Sequence, residues 1–143
     1  MPVFRLVRRL RLGNLDPLLG AALLIEIKHS LGRGRGVFAA TAIPKDSIIE
    51  TSAVLMLDAR EQELIAQTQV DDYLFAWSDP SDPQRDQAVV LGLLSMANHS
   101  ETPNTAPRRL VSAQQMEWVT LRDIAAGEEL TFRYRCELWF QPI

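Results

Sequence analysis

The chain has one cysteine, Cys136, and two histidines, His29 and His99. A lone cysteine excludes a disulfide framework, and without any Cys-x-x-Cys pair an all-protein zinc site is not expected. Cys136 reads as a reduced thiol, which fits an intracellular setting: cytoplasmic, or nuclear in a eukaryotic source. Long apolar runs are missing as well. The longest, residues 18–27, is too short to span a membrane and is broken by Gly20 and Glu26, so no membrane partner is expected. Basic charge is scarce beyond the N-terminal quarter. Residues 1–35 hold seven basic and two acidic residues, net +5, whereas residues 36–143 hold eight basic and sixteen acidic, net −8. Nucleic acid wants a basic patch, so the acidic body points to a basic polypeptide as partner, with a solvated acidic face as the plainer alternative. Arg5, Arg8, Arg9 and Arg11 precede the first acid, Asp16, in the manner of a targeting peptide. No small-residue cleavage site follows them, and a surface arm or short amphipathic helix is the preferred reading.

What is present is an ordinary globular composition, 47% apolar and 23% charged over 143 residues. That supports one domain, residues 21–143, behind a basic extension over 1–20. Apolar residues 22–28 predict a strand. The Gly32-Arg33-Gly34-Arg35-Gly36 run predicts a turn, after which residues 37–39 resume as strand. Pro44-Lys45-Asp46 predicts a second turn and residues 47–57 a long β-branched strand. Asp58 with Glu61 is a capping-box pattern opening a helix to about Thr68. Residues 88–97 suggest a short buried helix interrupted by Gly92. Residues 115–121 and 129–134 suggest strands around a turn at 125–128. Short strands with little helix and no βαβ alternation predict a mostly β fold.

Three features stand out as chemistry. The glycine run has Gly-x-Gly-x-Gly spacing and a strand after it, so it is no dinucleotide fingerprint. It does allow close approach of a ligand to the backbone, with Arg33 and Arg35 suited to a carboxylate or phosphate; a plain hairpin turn is the competing reading. Asn98 and His99 offer amide and imidazole groups to a planar, nitrogen-rich ligand, although a histidine is often only structural. Phe132 and Tyr134, two apart on a strand, share a face. With Tyr73 and Phe75, also two apart, they form either aromatic core packing or an apolar channel ending in a phenol. A Cys-His-Asn hydrolase site from Cys136, His99 and Asn104 is conceivable but lacks a local signature around the cysteine.

In order along the chain, these segments resemble the SET-domain protein lysine methyltransferases. Gly34-Arg35-Gly36-Val37-Phe38-Ala39 is similar to the family's opening strand, and residues 43–50 to its turn and strand. Asn98-His99-Ser100-Glu101-Thr102-Pro103-Asn104 matches Asn-His-Ser-x-x-Pro-Asn. Residues 123–134 match the closing Asp-Ile-x-x-Gly-Glu-Glu-Leu-Thr-Phe-x-Tyr. The resemblance covers residues 22–140, and Asp71 to Trp77 looks like the compact bacterial-type members. It implies a β-clip fold with a few short helices and a C-terminal pseudoknot. It also implies S-adenosylmethionine as cofactor, bound along Arg33, Gly34, Arg35 and Gly36 and by Asn98 and His99, largely through backbone atoms. Tyr134 takes the place of the catalytic tyrosine, beside both cofactor and substrate. Tyr73, Phe75, Phe132 and Trp139 are the implied lysine channel, where a phenylalanine at 132 leaves room for more than one methyl group.

Such a site fits the chemistry. A lysine of ordinary pKa costs about 4.6 kcal/mol to neutralise at pH 7. An apolar channel and a neighbouring positive charge both reduce that cost, so no dedicated base is required and alignment does the rest. Three departures from the family pattern stand out. Arg133 replaces a common aspartate, and Glu101 a frequent cysteine. The cysteine-rich zinc tail that commonly follows is not found, so Trp139 and Phe140, or a partner chain, are expected to complete the channel. A non-catalytic SET-like module that binds peptides is the alternative these departures suggest.

Overall fold

The computed structural model describes residues 24–134; the basic arm, Cys136, Trp139 and Phe140 lie outside the described residues. Among the described residues nine strands make two sheets. The first has the order β1 (Ile25–Ser30), β2 (Gly34–Ala39), β9 (Glu129–Phe132), β6 (Asn98–His99). The second runs β4 (Leu74–Ala76), β5 (Gln87–Val90), β3 (Ile48–Met56), β8 (Gln115–Thr120), β7 (Thr105–Leu110). All pairings are antiparallel except β6 with β9. The mostly β expectation is met, and β1, β2, β3, β8 and β9 overlap the strands expected at 22–28, 37–39, 47–57, 115–121 and 129–134. β2 begins at Gly34, inside the expected glycine turn, and β9 ends at Phe132, so Tyr134 follows the strand rather than sharing its face. An isolated bridge between Ile43 and Ile124 joins the turns before β3 and after β8. The core is built on Trp77, Trp118, Leu94, Ile124, Leu130 and Val37, all fully buried.

The capping box forms as expected: the Asp58 carboxylate accepts the Glu61 N–H, and Glu61 accepts that of Asp58. The helix it opens, α1 (Ala59–Ile65), is shorter than the spacing suggested. Thr68 instead begins a 3-10 helix (Gln69–Tyr73), its hydroxyl accepting the Val70 N–H at 3.3 Å.

Residues 88–97 are not a helix. They are β5 followed by a 3-10 helix (Leu93–Met96). Two causes can be named. Val89 and Val90 pair with Leu55 and Val54, a cross-strand fit that β-branched residues favour. Then Glu50 accepts the Leu93 and Leu94 N–H groups, one with each carboxylate oxygen at 3.0 Å, and fixes where the new turn starts. Gly92 between them is fully extended, and a Cβ there would overlap Ser52 Oγ and the Glu50 carboxylate. A short apolar run looks alike in both conformations, and the tertiary partners decide. Strand β7 was not expected at all, because Pro107 and two arginines interrupt it. It lies at the edge of its sheet, where a missing N–H is tolerated.

Asn104, 2% exposed, fastens the chain after β6 to β9. Its Oδ1 accepts the Thr131 N–H at 2.8 Å, and its Nδ2 donates to Glu129 O at 2.8 Å and Glu128 Oε1 at 3.0 Å. Beside it, Thr105 Oγ1 donates to Thr131 O and accepts from Trp118 Nε1, both at 2.7 Å. Asn104→Ala leaves the buried Thr131 N–H without an acceptor and should lower unfolding free energy by about 1–3 kcal/mol, read as a fall in the urea midpoint.

Glu128 closes the same turn. Its hydrogen bond from Arg122 chiefly, opposed by partial burial and helped by Asn104 and the Ala125 N–H, holds its pKa down to about 2 from 4.5. A depressed carboxylate stabilises the fold above its unfolded pKa, and that contribution is lost as pH falls from about 4.5 towards 2. Glu128→Gln should therefore be less stable than wild type at pH 7, with the two converging near pH 2 in parallel thermal melts.

Candidate functional site

Two segments converge at the end of the first sheet. β6 and β9 pair in parallel through Asn98 with Thr131 and His99 with Phe132, and Ser100 N donates to Phe132 O at 3.1 Å. Tyr134 follows at once. Its N–H donates to His99 Nδ1 at 3.0 Å, its ring meets the imidazole edge-on at 5.3 Å, and its hydroxyl donates to Ala97 O at 2.7 Å. The His99 side chain is 2% exposed, and its Nε2 lies 3.0 Å from Glu101 Oε1. Because Nδ1 accepts, the proton sits on Nε2 and points at the carboxylate. Arg133 completes the cluster, donating to Glu101 O at 2.6 Å and pairing with Glu101 Oε2 at 2.8 Å.

The glycine turn lies against the other side of this junction. Arg33 Nη1 reaches His99 O at 3.4 Å. Asn98 Nδ2 donates to Arg35 O at 3.1 Å and to Glu129 Oε1 at 2.7 Å, while Ser30 Oγ holds the second Glu129 oxygen at 2.9 Å. Gly36 is required by this packing, since a Cβ would overlap Glu129 Oε1 and press on Asn98 Nδ2. Gly34 has φ +78 and open space where a side chain would project. Arg33, Gly34, Arg35, Gly36, Asn98 and His99 thus form one patch, as their separate segments suggested. Of the two roles expected for the His99 ring, the structural one is what its contacts match. Its imidazole is already bonded to Tyr134 and Glu101, so only its backbone is left to face a ligand. The Asn98 amide nitrogen is likewise engaged, whereas its Oδ1 makes no hydrogen bond among the described residues. Open glycine backbone, a fixed amide oxygen and flanking arginines fit a ligand that carries a carboxylate and N–H donors.

Aromatic rings line the third side. Phe75 stacks on Phe132 at 5.5 Å and 18°, and Phe132 meets Tyr134 at 4.8 Å. Together with Tyr73 they border a cleft of about 580 Å³, with Asp71, Asp72 and Asp86 also on its wall. Trp139, the fourth expected channel residue, lies outside the described residues. Arg109 was missed by sequence reading. It crosses from β7 to donate to Ala76 O at 3.2 Å and Ser78 Oγ at 3.4 Å, tying the two edge strands of the second sheet together. Glu129 was read only as the start of the closing strand, yet it orients Asn98. The hydrolase arrangement gains nothing here, because the His99 ring and Asn104 are committed to different backbone groups of the closing segment.

Residues 34–135 match the family model described as SET domain. A relative from Schizosaccharomyces pombe, a histone-lysine N-methyltransferase specific for lysine 37 of histone H3, is 37% identical over 118 residues, covering 82% of this chain and 77% of that protein. Among solved structures, a Plasmodium falciparum protein described as a candidate histone methyltransferase superposes with a TM-score of 0.61 at 23% identity, over 81% of this chain and 96% of its own. That last likeness speaks for the fold alone. The family match over most of the described chain and the 37% identity show that this chain belongs to the SET-domain family.

Proposed function

We propose that this protein-lysine methyltransferase methylates a basic protein segment, such as a histone tail, with its cofactor on the glycine-turn patch and the target lysine in the aromatic cleft. Proteins of this family use S-adenosylmethionine, which supplies a methyl group on a positively charged sulfur. The observation that carries the residue assignment is the position of Tyr134. Its N–H and hydroxyl are fastened to the Asn98–His99 side, and its ring closes the aromatic cleft.

In this reading Arg33, Gly34, Arg35 and Gly36 hold the amino-acid end of the cofactor. Asn98 and the His99 backbone hold the base. Phe75, Phe132 and Tyr73 exclude water from the lysine side chain, which favours its neutral form. Tyr134, pinned by Ala97 O, sets the direction in which the amine approaches. Trp139 would extend the channel, and the C-terminal pseudoknot, with the closing strand region passing under a loop, belongs to the same proposal. Asp71, Asp72 and Asp86 on the cleft wall favour a basic segment, consistent with the substrate named for the fission-yeast relative. An intracellular location also remains part of the proposal.

Incubation with labelled S-adenosylmethionine and a lysine-containing basic peptide tests the whole reading. Tyr134→Phe should lower turnover by about a hundredfold through lost alignment, while calorimetric cofactor affinity changes by less than about threefold. Folded wild-type protein that neither binds the cofactor nor labels peptide would remove the proposal. A narrower channel tests the Phe132 assignment: Phe132→Tyr should shift products towards monomethyl-lysine by mass spectrometry, and an unchanged product distribution would count against it.

A further inference from the structure

Arg133 and Glu101, two of the departures from the family pattern, touch one another. We infer that they act as one positioning unit, clamping Tyr134 through His99; the inference rests on the methyltransferase reading for its kinetic consequence but not for its geometry. Each link is a direct contact. Arg133 holds the Glu101 carboxylate at 2.8 Å and its backbone oxygen at 2.6 Å. The other carboxylate oxygen lies 3.0 Å from His99 Nε2, and His99 Nδ1 accepts the Tyr134 N–H at 3.0 Å.

The tautomer makes these links interdependent. A neutral imidazole carries its proton on one nitrogen only. With the proton on Nε2, Glu101 accepts and Tyr134 donates, and both contacts are satisfied. With it on Nδ1, two donors face each other at Tyr134 and the carboxylate has lost its partner. Glu101 therefore selects the tautomer that keeps Tyr134 in place. Arg133 aims Glu101. An ion pair this exposed, 57% and 60% by side chain, adds little stability by itself. Its consequence lies in the buried ring it orients, whose side chain is 2% exposed. Arg133 also stands between Phe132 and Tyr134 in the chain, so its anchoring to Glu101 fixes the backbone that carries both rings. Neither residue is catalytic. Both are positioning residues.

A mutant cycle tests the unit. Glu101→Ala and Arg133→Asp should each lower kcat about three- to tenfold while the cofactor KM stays within about twofold. Glu101→Gln, which keeps an acceptor for His99, should recover most of the loss. The double variant Glu101→Ala/Arg133→Asp should lose much less than the product of the two single losses, because Glu101→Ala has already opened the side-chain half of the clamp and leaves Arg133 only the backbone oxygen at 101. Nitrogen-15 signals of the His99 ring should report a single Nε2–H tautomer in wild type and a mixture in Glu101→Ala. Losses that multiply in the double variant, or ring signals that do not change, would overturn the clamp. Those ring signals decide even if wild-type protein shows no transfer, an outcome that would instead count against the methyltransferase reading.

Discussion

The site depends on a parallel contact only two residues long. β6 meets β9 through Asn98 with Thr131 and His99 with Phe132, and no longer ladder supports it. Parallel pairing is the weaker kind per residue, so a contact this short cannot hold by backbone bonds alone. Side chains supply what the ladder lacks. Asn104 grips β9 from the chain after β6, Thr105 grips Thr131, and His99 accepts the N–H of Tyr134, two residues beyond Phe132. Without the contact Asn98 and His99 would part from β9 and its aromatic rings, whereas the glycine turn stays joined to β9 through β2.

The same junction explains why polar groups are so dense there. Glu129 stands on β9 and fixes Asn98 on β6, while Ser30 on β1 fixes Glu129. One carboxylate thus joins three strands of the first sheet, and Gly36 leaves the space in which it does so. Buried and half-buried polar groups are costly when unmet, yet fully met they hold a single geometry. A methyl transfer that relies on alignment needs such rigidity more than it needs a strong acid or base.

Much of this was legible in the sequence, for identifiable reasons. The capping box at Asp58 is local chemistry, and it formed as written. The strands around the turn at 125–128 also follow from local signals, and the resemblance to the SET-domain family implied that Asn98 and Tyr134 meet. Residues 88–97 misled because a ten-residue apolar run does not reveal that Glu50, far away in sequence, caps its middle. β7 was hidden by Pro107, whose edge position only the sheet order shows. Arg133 and Glu101 looked like two unrelated departures, since they are 32 residues apart and meet only because β6 and β9 are neighbours. Which of its two readings the His99 ring would follow was hidden for the same reason: its partners come from the fold.

Charge divides the proposed site in a way that bears on selectivity. Arg33 and Arg35 belong to the cofactor patch, and Asp71, Asp72 and Asp86 to the wall of the cleft. A cofactor carboxylate entering the cleft meets like charge there, and a lysine-bearing basic segment meets like charge at the glycine turn. Each ligand is thus repelled from the other's place as well as attracted to its own. Two cations also border the cleft: Arg109, tied to Ala76 O and Ser78 Oγ, and, beside the aromatic wall, Arg133. Left alone Arg133 would oppose a basic substrate at the channel itself. Its pairing with Glu101 cancels that charge locally and turns it to holding Tyr134. An arginine beside the proposed catalytic tyrosine is therefore compatible with a lysine substrate, and the glutamate at 101 is what makes it so.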